Sequence, residues 1–291
     1  MRLGSCLYQE KVAVFIEQNG QYYLPQKTDT ENPLWRDMQT LIESSERDQL
    51  LAHLVLDDSL RVATDEITVL APLPRPNKNV ICMGLNYFDH IAEAANFAGR
   101  NARKPKAPIV FTKSNACVIG HDIPIVADPT VTQQLDWEVE LAVVIGKTGK
   151  AITPDEVEDH IFAYTIVNDI SARDLQFAHK QFYIGKSIDG GCPMGPVFVT
   201  KDSISDAQNL KLSCRVNGVE KQSGSTAHMI FSIQDIIVTL SKSMTLEAGD
   251  IIATGTPDGV GFARTPPEFL SVGDVVECEV EGIGVLRNPI V

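Results

Sequence analysis

The sequence predicts a mixed α/β fold that is mainly β, and three observations predict it. Short runs rich in Val, Ile, Phe and Thr recur along the chain, Gly, Pro, Asn and Asp separate them, and few stretches show helical apolar spacing. The connections are too short for regular crossover helices, so an antiparallel or mixed sheet is expected rather than a doubly wound one.

In chain order, KVAVFIE (11–17) and QYYLP (21–25) read as short apolar runs. LWRDMQTLIESSERDQLLAHLV (34–55) reads as helical, because Leu34, Met38, Leu41 and Ile42 recur three and four apart. Pro72, Pro74 and Pro76 then bar regular structure, which marks a linker between a small α/β segment, 1–72, and a larger unit, 73–291. NVICMGL (79–85) is a buried strand, and NYFDHIAEAANFAG (86–99) a helix entered near Asn86 or Asp89 and ended at Gly99. RNARKPKAP (100–108) is a basic, proline-broken loop, expected to be mobile. Strands then dominate: PIVFTK, WEVELAVVIG, FAYTIVND, PVFVT, LKLSCRVNG, GDIIATG, DVVECEVEG and VLRN. Helices interrupt them at TPDEVEDHI, with Thr153 as N-cap, and at SIQDIIVTLSKSM.

The bulk numbers set limits. With 291 residues and 44% hydrophobic content the chain can bury a large core. A net charge of −13 argues against nucleic acid and against anionic membrane surfaces, both of which need a basic patch. No apolar run approaches the roughly 18 residues that span a bilayer, and MRLGSCLYQEKV lacks the apolar core of a signal peptide. Six scattered cysteines without a C-x-x-C pair read as buried thiols of a reducing compartment, so a cytoplasmic location is expected.

The chemistry begins in QQLDWEVELAVVIG (133–146), where acids interrupt a buried-strand pattern. Alternation puts Asp136, Glu138 and Glu140 on one face and Trp137, Val139 and Leu141 on the other. Clustered carboxylates in a buried strand stay charged only beside a cation or water. Asp169, at the end of the next apolar run, supplies a third oxygen ligand, and three carboxylates suit a hard cation such as Mg²⁺ or Mn²⁺. The alternative is a solvated strand face with Asp169 capping a turn. His90 and Glu93 lie three apart on the helix, the spacing of a base and its orienting acid, or of an exposed pair. Lys186, before a Gly-Gly turn, either stabilises an anion or is simply exposed. TGTPDGVG (254–261) lacks the lysine of a phosphate loop, yet its backbone N–H groups and the Thr256 hydroxyl can serve a carboxylate. His53, His121, His160, His179 and His228 have no ligand-like spacing and read as structural.

Taken together, GLNYFDHIAEA (84–94), PIVFTK, DWEVELAVVIGK (136–147), YTIVNDISARDLQ (164–176), GKSIDGGCPMGP (185–196), SGST with MIFSI, and LEAGDIIATGTPDGVG (246–261) resemble the fumarylacetoacetate hydrolase family. The resemblance covers about residues 75–291, and the chain as a whole is similar to the subgroup that carries a short N-terminal domain. It implies a β-sandwich roll, usually dimeric, with Glu138, Glu140 and Asp169 binding Mg²⁺ or Mn²⁺. It implies that His90 and Glu93 form a catalytic dyad on a lid and that Lys186 steadies developing negative charge. It implies that Gln176 and Thr256 contact the substrate's carboxylate end, that Arg173 supports them, and that Asp136 stands outside the ligand set. One departure is Ala116, where many members carry serine or threonine, which bears on the polar contacts beside the lid. The implied activity is C–C cleavage of a short 2-oxo diacid, by oxaloacetate decarboxylation or acylpyruvate hydrolysis. An isomerase or tautomerase of related intermediates is the alternative, and a cation-dependent binding protein is the rival of a different class.

Overall fold

The computed structural model describes residues 1–97 and 103–291. The predicted end of the 86–99 helix at Gly99, and residues 98–102 with it, lie outside that set.

A long sheet runs through the molecule. From one edge it passes through Arg61–Val62, Gln21–Tyr23, Lys11–Gln18, Arg2–Tyr8, Cys192–Thr200, Ile161–Asn168, Val139–Ile145, Ile251–Ala253, Val80–Gly84 and Ile109–Lys113. Neighbours on this path are antiparallel except Ile251–Ala253 against Val80–Gly84, so the expected mixed sheet is observed. A second, antiparallel sheet of four strands, Val219–Ser225, Lys211–Val216, Val275–Val280 and Gly284–Pro289, packs across the middle of the first.

Alternation along Val139–Ile145 builds two cores. Val139, Leu141, Val143 and Ile145 join the cluster shared with the four-stranded sheet, where Leu212, Cys214, Val276 and Cys278 meet them. Ala142 and Val144 join the opposite cluster, with Trp35, Met38, Leu41 and Ile42 from the N-terminal segment. Glu140 carries an even number too and so belongs to the second face, at the end of the strand where apolar cover gives way to polar groups, with Glu138 just before it.

The N-terminal helical stretch is two short helices, Met38–Glu43 and Arg47–His53, because the Asp37 carboxylate caps the first at Thr40 N–H and Ser44 ends it. The 153–161 segment forms a 3₁₀ turn and a four-residue helix, with the Thr153 N–H and hydroxyl both donating to Glu156. The 232–244 segment is the helix Ile233–Ser243, capped by Ser232. The strand Arg2–Tyr8 carries no clear strand pattern in its sequence, RLGSCLY. It pairs at Leu3 with Phe198 and joins the N-terminal hairpin to the central sheet. No helix among the described residues is long and apolar enough to cross a membrane.

Candidate active site

The acidic stretch is not one continuous strand. Leu135–Asp136 pairs with Ser171–Ala172 in a small ladder of its own, and the main strand starts only at Val139. The break follows from Asp136. Its carboxylate accepts the N–H groups of Trp137, Gly261 and Phe262 and the Nε–H of Arg173, which turns the backbone out of the ladder. Glu138 therefore sits in the gap, where its N–H donates to the Asn168 side chain and its carbonyl accepts Asp169 N–H.

The outcome is a buried acidic cluster. Glu138, Glu140 and Asp169 each offer a carboxylate oxygen, and these lie within 4.8 Å of one another. Three cations face the cluster. Lys186 Nζ donates to Glu138 Oε2 at 2.9 Å and to Asp169 Oδ2 at 2.8 Å. Lys113 Nζ donates to Asp169 Oδ1 at 2.7 Å, and the Arg173 Nη2 lies 2.7 Å from Glu138 Oε1. Lys186 can come this close because its helix, Tyr183–Lys186, packs on Arg173–Ala178 through Gly185, where a Cβ would lie 2.5 Å from Gln176 N.

These partners treat the two glutamates differently. Burial pushes the Glu138 carboxyl up, but Lys186 and Arg173 outweigh it and hold it well below the usual range. Among the described residues Glu140 has no ion-pair partner; burial and then the charges of Asp169 and Glu138 push it far up, against a 2.8 Å bond from Gly255 N–H and the more distant charge of Lys186. A carboxyl that is costly to ionise, in an all-oxygen set of three, fits a hard divalent cation that would replace its proton. Glu138, Glu140 and Asp169 would hold that cation.

The helix Phe88–Phe97 carries His90 and Glu93. Asn86 anchors its start, donating to Phe231 O and Thr254 O while accepting Phe231 N–H. His90 is buried, and its Nδ1 lies 3.3 Å from Glu93 Oε2. The other oxygen of Glu93 accepts Gly259 N–H at 3.0 Å. Gly259 has φ +96°, and a Cβ there would lie 2.1 Å from Lys221 O. Gly259→Ala is therefore expected to cost at least 1–3 kcal/mol and to release Glu93, read as a lower melting temperature with faster hydrogen exchange across the Phe88–Phe97 helix. Unchanged exchange there would refute the link.

These groups open on a cavity of about 170 Å³, below the range of drug-sized sites. Seven of the nine predicted site residues line it, while Glu93 and Asp169 do not. Gln176 Oε1 accepts from Arg173 Nη1. Thr256 is already engaged: its hydroxyl donates to Val139 O and accepts from Gln222 Nε2, so toward the cavity it offers a lone pair. Ala116 is exposed in a turn and does not line the cavity. Of the histidines read as structural, His160 Nδ1 contacts Lys147 O and His121 accepts Arg287 N–H. All six cysteines are buried thiols.

Sequence reasoning passed over Lys113 and Gln222, and named Asn86 only as a helix entry. A lysine closing an apolar run was the available signal for Lys113, since a strand end inside a core needs an anion to receive it.

Comparisons with known proteins place the chain among relatives. The family profile described as fumarylacetoacetate (FAA) hydrolase, C-terminal, matches residues 79–291. The oxaloacetate tautomerase YisK of Bacillus subtilis is 55% identical over 232 residues, 80% of this chain and 76% of the relative. The mitochondrial oxaloacetate tautomerase Fahd2a of Rattus norvegicus is 47% identical over 231 residues, 79% and 71% of the two chains. Among solved structures, a fumarylacetoacetate hydrolase (EaFAH) from Exiguobacterium antarcticum superposes with a TM-score of 0.84 at 39% identity, covering 100% of this chain and 99% of that one.

Proposed function

The chain belongs to the fumarylacetoacetate hydrolase family, and on that premise we propose that it is a divalent-cation-dependent tautomerase of oxaloacetate or a closely similar short 2-oxo diacid. The observation that carries this reading is the meeting, in one small cavity, of His90, Lys186 and the acidic cluster, in a chain so similar to a named oxaloacetate tautomerase.

Enol and keto forms differ by one proton, on the C2 oxygen in the first and on C3 in the second. The protein has to steady negative charge on that oxygen and move a proton to or from C3. The Lys186 ammonium, held by Glu138 and Asp169, stabilises the oxyanion. Glu93 fixes the His90 ring through Nδ1, leaving Nε2 to give or take the proton at C3. A cation held by Glu138, Glu140 and Asp169 would supply Lewis-acid polarisation of the keto group. The Gln176 amide, with its oxygen taken by Arg173, turns its N–H₂ toward an acceptor on the substrate. The phenyl rings of Phe111, Phe177, Phe182 and Phe262 restrict the cavity to short chains.

The test is ketonisation of freshly dissolved enol-oxaloacetate, followed by loss of enol absorbance with Mn²⁺, Mg²⁺ or EDTA. The expected result is cation-dependent acceleration that His90→Ala lowers by about 10²–10⁴-fold. Cleavage of the C–C bond, the leading expectation from the sequence, is the second reading. It is supported by the whole-chain likeness to a solved fumarylacetoacetate hydrolase. Pyruvate released from oxaloacetate or an acylpyruvate as fast as the enol disappears would favour cleavage and displace the tautomerase.

A further inference from the structure

One turn, residues 254–262, holds three carboxylates by its backbone. Gly255 N–H meets Glu140, Gly259 N–H meets Glu93, and the N–H groups of Gly261 and Phe262 meet Asp136. A candidate cation ligand and the acid behind His90 therefore hang on the same stretch of chain. Neither glycine tolerates a side chain: Gly255 has φ +102°, with a Cβ position 2.8 Å from Asn86 Cβ, and Gly259 is closed by Lys221 O. What keeps this turn in place is therefore decisive for both carboxylates.

The turn leaves the sheet after Ile251–Ala253, with one further backbone bond, from Thr254 N–H to Leu141 O. Side chains replace the ladder. Thr254 Oγ1 donates to Leu141 O and Thr256 Oγ1 to Val139 O, which sets the turn beside Glu140. Asn86 Nδ2 donates to Thr254 O and Trp137 Nε1 to Gly259 O, and further bonds come from across the sandwich. Gln222 lies on the edge strand Val219–Ser225, where its neighbours are exposed or half-buried and it is 1% exposed. Its Oε1 accepts Val139 N–H at 3.0 Å, and its Nε2 donates to Thr256 Oγ1 at 2.8 Å and Pro257 O at 2.9 Å. All three bonds are buried, and together they tie the acidic strand to the turn.

We propose that Gln222 is a positioning residue: through the 254–262 turn it sets the Glu140 carboxylate for cation binding and Glu93 for orienting His90. It does not line the candidate-site cavity and would act through the turn. The inference deepens the tautomerase reading and rests on it for the role of His90, though not for the clamp itself.

The test compares Gln222→Met, which keeps the bulk and loses all three bonds, with Gln222→Glu. The glutamate retains an acceptor for Val139 N–H and loses both donations to the turn. In each folded variant, Mn²⁺ measured by calorimetry is expected to bind about 10–100-fold more weakly. Hydrogen exchange of peptide 254–262 should quicken while that of the four-stranded sheet does not, and kcat should fall more than KM changes. If the methionine variant does not fold, the glutamate variant decides. Unchanged Mn²⁺ affinity and unchanged exchange of 254–262 in a folded variant overturn the proposal. Should wild-type protein bind no Mn²⁺, the cation-dependent function falls, and the clamp is still judged by exchange of the turn.

Discussion

Asp169→Ala is expected to destabilise the protein by about 3–5 kcal/mol, the usual cost of stripping a buried ion pair of one member. Asp169 is fully buried and serves two lysines at once, Lys113 through Oδ1 and Lys186 through Oδ2. Burial by itself pushes the Lys113 ammonium down; the Asp169 charge more than offsets this and holds it above its ordinary value. Without the carboxylate, Lys113 keeps only the Ile170 carbonyl. At about 2–4 °C per kcal/mol, the melting temperature should drop by roughly 10 °C in thermal denaturation. Pairing the change with Lys113→Met should recover part of the loss, because an apolar group then replaces the stranded charge. A drop below about 3 °C, or no recovery in the double variant, would show that the pair does not carry this energy.

Glu140→Gln should do the reverse in the absence of divalent cation. Because the folded carboxyl titrates far above its unfolded value, the folded state binds an extra proton between those two values. Its contribution to stability is fully present below the ordinary glutamate range, near pH 4.5, and is lost as pH rises through the raised folded value. At pH 7.5 and above, a glutamine, which can still accept Gly255 N–H, removes this penalty, so EDTA-treated variant should melt several degrees higher than wild type. Adding Mn²⁺ should then stabilise wild type and leave the variant nearly unmoved. Since the cation displaces the Glu140 proton, calorimetry in buffers of different ionisation enthalpy should show proton release, with affinity rising with pH. A variant that melts lower than wild type in EDTA, or binding without proton release, would contradict the protonated state of Glu140.

Much of this candidate site was legible because its residues follow a local rule. Glu138 and Glu140 lie two apart, and two is the period that puts side chains on one face of an extended chain. His90 and Glu93 obey the corresponding rule for a helix. Lys113 and Gln222 follow no local rule. Lys113 meets Asp169 56 positions away, and Gln222 meets Val139 83 positions away, so their roles exist only once the sheets have packed. The break at Asp136 was hidden for the same reason, since the N–H groups that bend it out of the ladder come from Gly261 and Phe262. Arg2–Tyr8 escaped notice because glycine, serine and arginine dilute its β signal, and its pairing, not its composition, makes it a strand.

That first strand also bears on how the chain folds. Its hairpin with Lys11–Gln18 is local and forms quickly, but the strand's contact with the central sheet waits for Phe198 and Val199 to be in place. Until then the hairpin presents an open row of amides and carbonyls beside Leu3, Val14 and Ile16, residues that end up in the core. Such an edge templates pairing with another chain. Refolding at high concentration is the condition under which this protein would lose most material to aggregation, and slow dilution at low concentration the one that spares it.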